Sequence, residues 1–196
     1  MSYVGIVITF ILVQNFVLTY FLGLCPLVDL SRKMDTAFGL GLAMTFVMAI
    51  ASVLTWAIRH LVLIPLGITF LQTLAFVLVI VGLVQVLDLL ILKTSSSLHR
   101  LLGGYLTVIT ANCAVLGIAL VAVNSNFDVF QSFVAGIGAG LGFLLVMLIM
   151  AGLRERLDLE WVPRPFRGIP IAFVSAGLMA MAFLAFDRSL LHGLLG

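Results

Sequence analysis

Charged side chains are scarce in this sequence of 196 residues. They make up 9% of the chain, whereas hydrophobic side chains make up 63%, and a soluble domain would be nearer a quarter charged. No soluble fold could cover that much apolar surface, so the composition excludes a soluble domain. The net charge of +2 is too small to indicate a nucleic-acid-binding surface, and we expect no nucleic-acid partner.

Long polar segments are missing as well. With no sizeable loop between the apolar stretches, we expect no soluble domain, no nucleotide-binding fold and no flavin-binding module. Lys and Arg are absent from residues 1–31, whereas a secretory signal peptide carries a basic region before its apolar core. We therefore expect the first apolar stretch to remain in the mature protein.

Metal-binding side chains are few, with two cysteines and three histidines in the chain. A zinc site or a Cys-x-x-Cys redox pair needs ligands at short spacing, and Cys25 and Cys113 are far apart in sequence. His60, His99 and His192 fall at predicted membrane interfaces or in the C-terminal tail, where we expect them to be solvated. The sequence therefore excludes both of these kinds of site.

Apolar stretches dominate the chain instead, each about the ~20 residues that a transmembrane helix needs. The predicted spans cover residues 3–24, 36–58, 65–92, 101–123, 129–153 and 169–187. We therefore predict an all-α integral membrane protein of six transmembrane helices, in which residues 1–196 form a single domain in the lipid bilayer.

Basic residues are distributed unevenly between the two sides of the membrane. Those that follow the first, third and fifth spans are Arg32, Lys33, Lys93, Arg100, Arg154, Arg156, Arg164 and Arg167. Only Arg59 and Arg188 fall on the other side. Because basic loops stay in the cytoplasm, we predict a bacterial cytoplasmic (inner) membrane protein with both termini on the periplasmic, outer side.

The sequence also repeats weakly on itself at a constant offset of 97 positions. Matching pairs are Asn15 and Asn112, Gly39 and Gly136, Gly41 and Gly138, Phe46 and Phe143, and Arg59 and Arg156. We predict two repeats, about 1–92 and 98–189, and three spans in each make the second enter the membrane from the opposite side. Inverted repeats place functional sites near the midplane on broken helices, where Asn15 and Asn112 are expected.

Cys25 and Cys113 are the candidate metal ligands. A free Cys is most often a small buried hydrophobe, and a disulfide within the membrane is a second alternative. The surroundings favour a functional role, because Gly23 and Pro26 bracket Cys25 and Asn112 precedes Cys113. An iron–sulfur cluster ordinarily takes four thiolates, so a partner protein would have to supply the other two.

Glycines alternate along the fifth span, at Gly136, Gly138, Gly140 and Gly142. No strand precedes them, which excludes a nucleotide-binding loop. Gly136 with Gly140, and Gly138 with Gly142, are small-xxx-small pairs that let helices approach closely. We expect Gly39 and Ala43 to act in the same way on the second span.

Asp88 lies near the cytoplasmic end of the third predicted span. An intramembrane carboxylate is a candidate for an ion or proton relay. Near an interface it can also simply reach water, and both interpretations stay open.

Several motifs give the chain a family resemblance. They are NFVL at 15–18, FLGLCP at 21–26, TANCAVLG at 110–117, RERL at 154–157, PFRG at 165–168 and AGLM at 176–179. On these motifs the whole chain resembles the A subunits of the Rnf electron-transport complexes. It is less similar to the related component of the sodium-pumping NADH:quinone reductases, which remains an alternative assignment.

In that family, the A subunit pairs with the E subunit, which is a six-helix homologue of inverted topology, beside the other Rnf membrane subunits. The resemblance implies that Cys25 and Cys113 share a [2Fe-2S] cluster with two cysteines of the partner. The residues expected to surround these ligands are Gly23, Pro26, Asn112, Asn15 and Gly117. The resemblance further implies that electrons pass between ferredoxin and NAD and that this transfer is coupled to sodium or proton movement. It also implies that this chain alone holds no complete active site.

A small inverted-repeat transporter without a redox centre is the alternative function, since broken helices also occur in secondary transporters. An unbroken first helix would carry Cys25 close to the cytoplasmic face, whereas Cys113 would lie near mid-membrane, at ~1.5 Å of rise per residue. A shared cluster therefore predicts that the first and fourth spans are broken and that both sulfurs converge on a face open to another protein of the complex.

Overall fold

The computed structural model describes residues 3–13, 15–31, 34–67, 69–94, 109, 112–125, 127–159 and 168–195, and every regular element within these ranges is helical. Three of the described helices are long and apolar enough to cross a membrane, at Met34–Leu63, Gln72–Leu89 and Val129–Leu157. Shorter apolar helices occupy Cys113–Asn124 and Ile169–Phe183. The molecule is therefore an all-α chain of apolar helices, and the count of six spans stays a prediction because residues 101–108 lie outside the described part.

The α-helices of the described ranges are numbered in chain order. They are α1 (Tyr3–Ile8), α2 (Phe16–Thr19), α3 (Leu24–Leu30), α4 (Met34–Ile58), α5 (Ile64–Leu66), α6 (Gln72–Thr94), α7 (Cys113–Asn124), α8 (Val129–Leu159) and α9 (Ile169–Leu195). π-Helical turns extend α1 through Thr9–Val13 and α4 through Arg59–Leu63, and a 3₁₀ turn at Thr69–Leu71 leads into α6.

The first predicted span is interrupted twice. Asn15 has extended backbone angles, φ −68° and ψ 109°, and begins the four-residue helix α2. Phe21 (φ +54°) and Gly23 (φ +88°) are left-handed and separate α2 from α3. A large side chain such as Phe rarely adopts positive φ, and the Phe21 side chain is exposed while Gly23 is buried. The interruption that the sequence predicts between Asn15 and Pro26 is present in the structure.

Helices α4 and α8 pack closely along their length in an antiparallel arrangement. A Cβ atom at Gly136 would lie 2.8 Å from the Ala49 Cα, and one at Gly140 would lie 2.8 Å from the Thr45 Cβ. Bare glycine backbone is what allows this approach. The predicted packing role of Gly136 and Gly140 is confirmed, and α4 is their partner.

The other two glycines of α8 face the first span. A Cβ atom at Gly138 would lie 3.3 Å from the Val7 Cα, and one at Gly142 would lie 2.9 Å from the Phe10 carbonyl oxygen. Their predicted role in close packing is therefore confirmed as well. Alternate glycines thus let α8 fit between two different neighbours, with α4 on one side and the first span on the other.

The prediction for Gly39 is wrong. No described atom lies within 4 Å of a Cβ position at Gly39, whereas one at Gly41 would lie 3.1 Å from the Leu144 Cα. Residues two positions apart on a helix point in roughly opposite directions, since each residue turns the helix by about 100°. Gly41 therefore makes the close approach from α4, and Ala43 is half-buried.

Helix starts follow the 97-residue offset of the sequence. Helices α2 and α7 begin at Phe16 and Cys113, and α6 and α9 begin at Gln72 and Ile169, each pair 97 positions apart. Helix α8 begins at Val129, two positions before the place that the offset would give it from α4. The inverted relation of the two halves in space stays a prediction.

Candidate functional site

Cys113 is the first residue of α7, and its position depends on Asn112. The Asn112 backbone is extended, with φ −78° and ψ 117°, and its side-chain Oδ1 accepts a hydrogen bond from the Ala114 N–H at 2.9 Å. Asn is among the best residues for capping a helix in this way, because the first N–H groups of a helix have no partner within it. The Asn112 side chain is buried while Cys113 is exposed. The part of the fourth predicted span before residue 109 lies outside the described residues.

Cys25 also lies in the first turn of a helix. Gly23 precedes α3 in a left-handed conformation, and Leu24, Cys25 and Pro26 form the first turn. Proline is tolerated there because the N–H groups of a first helical turn have no partner within the helix. Pro26 is buried, whereas Cys25 is exposed. The sequence Gly-Leu-Cys-Pro therefore turns the chain and begins a helix that presents a thiol at the surface.

The structure brings the two cysteine segments together. The Gly23 backbone N–H donates to the Cys113 Sγ with a distance of 3.0 Å between the nitrogen and the sulfur. Cys25 follows Gly23 by two residues, which at ~3.8 Å between successive Cα atoms puts their Cα atoms within roughly 8 Å. Both thiols are free and exposed. The contact thus joins the backbone before Cys25 to the sulfur of Cys113, and the convergence of the two sulfurs stays a prediction.

A shallow apolar groove of about 240 Å³ opens beside Cys113. Its walls are formed by Tyr20, Leu22, Cys113, Leu116, Gly117, Leu120 and Val121. Gly117 lies one helical turn after Cys113, on the same side of α7. The predicted proximity of Gly117 to the cysteine is therefore observed, and the groove leads along α7 away from the thiol.

Asn15 is the predicted site residue that lies apart from the cysteine contact. Its Nδ2 donates to the Gly142 carbonyl oxygen at 3.0 Å and to the Ile11 carbonyl oxygen at 3.2 Å, and its Oδ1 accepts from the Val17 N–H. These bonds connect the first interruption to α8. Asn15 therefore supports the scaffold beneath the turn that carries Gly23 and Cys25.

The described part of the chain does not hold a complete metal site by itself. Within it, no group of three or more His, Cys, Asp or Glu side chains could surround a metal ion. Two exposed thiols are the donors that this surface offers. Thiolates are the ligands of iron–sulfur clusters, so the donor set suits half of such a cluster.

Asp88 is half-buried on α6, and its predicted relay role stays a prediction. Sequence reasoning missed Leu116, Leu120 and Tyr20 as groove residues. Leu116 and Leu120 follow Cys113 by three and seven positions, a spacing typical of one helix face, so the pattern could have identified them. Tyr20 follows α2 in the interrupted segment, where no periodicity predicts its direction.

A family model described as "Rnf-Nqr subunit, membrane protein" matches residues 3–189. The chain belongs to the Rnf-Nqr family. This Rnf-Nqr chain is 52% identical to the A subunit of the ion-translocating oxidoreductase complex of Edwardsiella ictaluri over 186 residues, which covers 95% of this chain and 96% of the relative. The family assignment predicted from the cysteine motifs is therefore confirmed.

Two further relatives in the Rnf-Nqr family are similar along nearly their full length. The A subunit of the Na(+)-translocating ferredoxin:NAD(+) oxidoreductase complex of Acetobacterium woodii is 47% identical over 187 residues, covering 95% of this chain and 97% of the relative. The A subunit of the ion-translocating oxidoreductase complex of Yersinia pseudotuberculosis (strain YPIII) is 53% identical over 176 residues, covering 90% and 91%.

Proposed function

We propose that this chain is the A subunit of an Rnf-type ion-translocating ferredoxin:NAD oxidoreductase complex. In that complex it passes electrons across the membrane by supplying Cys25 and Cys113 to a [2Fe-2S] cluster shared with a partner subunit. The hydrogen bond between the Gly23 N–H and the Cys113 Sγ carries the proposal. It joins two cysteine segments that are 88 positions apart in the sequence, at an exposed surface.

The residues around the thiols fit a thiolate-bound cluster. Both thiols are exposed and free, so both can take part in ligation. A backbone N–H already points at one of the sulfurs, and N–H groups of this kind stabilise the negative charge on ligating sulfur. When bound, such a cluster supplies one-electron transfer at a potential set by its surroundings.

The chain's own contribution is to position the ligands. Asn112 caps α7 and fixes the start of the helix at Cys113, while Gly23 lets the chain reverse before Cys25. Because each cysteine lies in the first turn of a helix, the carbonyl groups of that turn accept helical hydrogen bonds and hold the backbone that follows each thiol. Preorganised ligands reduce the rearrangement that metal binding requires.

A homologous six-helix protein, the E subunit of the Rnf complex, is the proposed partner. Two more thiolates are needed to complete four-fold ligation, and the apolar groove beside Cys113 gives a partner helix a surface to pack on. The helix starts that recur at 97 positions support two inverted three-helix repeats in this chain. A partner built in the same way could face it across a pseudo-twofold axis and bring its own pair of cysteines to the same point.

The proposed location is the bacterial inner membrane, with both termini on the outer side. The excess of Lys and Arg after the first, third and fifth predicted spans supports this orientation. The relatives are subunits of ion-translocating complexes, in one case of a Na(+)-translocating ferredoxin:NAD(+) oxidoreductase, which favours an Rnf complex over a sodium-pumping quinone reductase.

The proposal is tested in the whole complex, expressed with its partner subunits and purified anaerobically. Electron paramagnetic resonance of the reduced complex and its iron content are compared for wild type, Cys25→Ser and Cys113→Ser. We expect each substitution to remove one [2Fe-2S] signal and the iron of that cluster, because a serine oxygen replaces a thiolate ligand. Val86→Ser is the matched control, since it adds a hydroxyl on the exposed face of α6 and should leave both readouts unchanged.

Two outcomes would contradict the proposal. A wild-type complex whose iron and spectrum are accounted for by the other subunits would favour the transporter alternative. Retention of every cluster signal in both cysteine variants would show that these thiols are not ligands.

A further inference from the structure

The contact between Gly23 and Cys113 is closer than the other contact to sulfur near this site. The Gly23 nitrogen lies 3.0 Å from the Cys113 Sγ, whereas the Asn112 Nδ2 lies 3.6 Å from the Met44 Sδ. The Asn112 amide therefore points its donor into the core, towards Met44. Among the described residues near Cys113, the backbone of Gly23 supplies the donor that faces the thiol.

The Gly23 N–H is available to the sulfur because no helix needs it. Gly23 is the residue that precedes α3, and the N–H of such a residue lies outside the helical hydrogen-bond pattern. The left-handed conformations of Phe21 and Gly23 turn the chain back towards α7. Gly23 itself is buried between α7 and α8, so the direction of this N–H is held by tertiary packing.

Three neighbours enclose Gly23 and hold it in place. A Cβ atom there would lie 3.0 Å from the Phe143 Cε2, 3.2 Å from the Asn112 Oδ1 and 3.3 Å from the Ala114 Cβ. Any side chain at Gly23 would therefore push the turn away from α7 and α8, in addition to the strain of a positive φ. Movement of the turn would lengthen the bond from the N–H to the sulfur.

We propose that the Gly23 N–H sets the reduction potential of the cluster by donating to the Cys113 thiolate. This inference rests on the proposed function, because it assumes that Cys113 is a ligand. Reduction adds one negative charge to the cluster and its sulfurs, and a hydrogen-bond donor stabilises the more negative state more strongly. The Gly23 N–H therefore raises the potential, and Gly23 is a positioning residue that acts through Cys113.

The test uses the anaerobically purified complex labelled with ¹⁵N-glycine. Pulsed electron paramagnetic resonance of the reduced cluster detects ¹⁵N nuclei that couple to it through N–H···S bonds, and a redox titration gives its midpoint potential. We expect wild type to show a glycine ¹⁵N coupling that Gly23→Ala loses, together with a lower midpoint potential. Gly67→Ala is the matched control, because Gly67 also has positive φ (+68°) but no described atom within 4 Å of its Cβ position, and it should change neither readout.

The possible outcomes separate this inference from the proposed function. A wild-type complex without the cluster contradicts the proposed function. A cluster that shows no glycine ¹⁵N coupling, or whose potential is unchanged by Gly23→Ala, overturns the role of Gly23 alone. If Gly23→Ala fails to assemble a cluster, the wild-type complex decides, since the presence of the glycine coupling supports the inference and its absence overturns it.

Discussion

The two asparagine turns, at Asn15 and at Asn112, are alike in backbone but differ in how the protein uses the side-chain amide. In both turns, the Asn Oδ1 accepts a hydrogen bond from the backbone N–H two residues later, and a helix begins at the residue after the Asn. The Asn15 Nδ2 donates to two carbonyl oxygens, of Ile11 and Gly142. The Asn112 Nδ2 meets only the Met44 thioether among its described contacts, and a thioether is a weak acceptor.

The Asn15 turn mainly fixes the first span to its neighbour, whereas the Asn112 turn mainly positions an exposed thiol. The Asn15 turn is anchored to the backbone of α8, and the position 97 residues before Cys113 holds Phe16. The Asn112 turn has the weaker anchor but carries an exposed thiol in the next residue. Both halves of the chain thus have an Asn-capped turn, but the cysteine lies at a different position relative to it in each half. Cys25 follows an additional turn at Phe21 and Gly23.

Gly142→Val should be the most destabilising of these substitutions, because it detaches the Asn15 turn from α8. The new side chain would meet the Phe10 carbonyl oxygen, which lies 2.9 Å from the Cβ position, and would displace the hydrogen bond from Asn15. Overpacking costs about 1–3 kcal/mol and a lost hydrogen bond costs about 1 kcal/mol. We therefore expect the free energy of unfolding to fall by about 3 kcal/mol. The chain is purified with its partner and denatured with sodium dodecyl sulfate, and circular dichroism monitors the loss of helix.

Gly39→Val is the matched control for that measurement. No described atom lies within 4 Å of the Cβ position at Gly39, and valine is slightly better than glycine in a helix. We expect a change of less than about 1 kcal/mol in Gly39→Val. Equal losses in the two variants would mean that the contact between α8 and the first span does not stabilise the Asn15 turn.

Asn15→Ala and Asn112→Ala compare the two turns directly. Each loses a helix cap, which costs about 1 kcal/mol, but only Asn15→Ala also loses a donor to the backbone of α8. In the same denaturation assay, we expect the free energy of unfolding to fall by about 2–3 kcal/mol in Asn15→Ala and by about 1 kcal/mol in Asn112→Ala. A larger loss in Asn112→Ala than in Asn15→Ala would reverse the assignment of anchoring to the first turn.

Met44→Leu should cost little stability, and it tests the Asn112 turn through the side chain that the Asn112 amide contacts. The Met44 side chain is fully buried and its Sδ accepts weakly from Asn112. Leucine conserves the volume, and such exchanges usually cost less than about 1.5 kcal/mol. We expect a loss within about 0.5 kcal/mol of that in Met147→Leu, a buried exchange on α8, because the sulfur contact is weak. A much larger loss in Met44→Leu would show that the Asn112 amide is anchored through Met44.

Sequence patterns predicted the parts of the fold that follow from local chemistry. Long apolar stretches located α4, α6 and α8, because hydrocarbon requires apolar side chains over about 20 residues. Gly23 and Pro26 predicted the interruption before Cys25, because neither residue suits the interior of a helix. The glycine spacing on α8 predicted close packing, but Gly39 was wrongly chosen over Gly41 on α4, because composition does not reveal the rotation of a helix about its axis.

Three properties of this chain follow from its sequence alone: it lies in a membrane, its first span is broken, and its two cysteines are the candidate ligands. Each of these follows from the properties of residues close to one another along the chain. Helix packing, in contrast, established that alternate glycines of α8 face different neighbours and that the Gly23 N–H donates to the Cys113 sulfur across 90 positions of sequence. These contacts depend on the rotation and spacing of packed helices, and an apolar membrane sequence leaves both open because many helix faces are equally apolar.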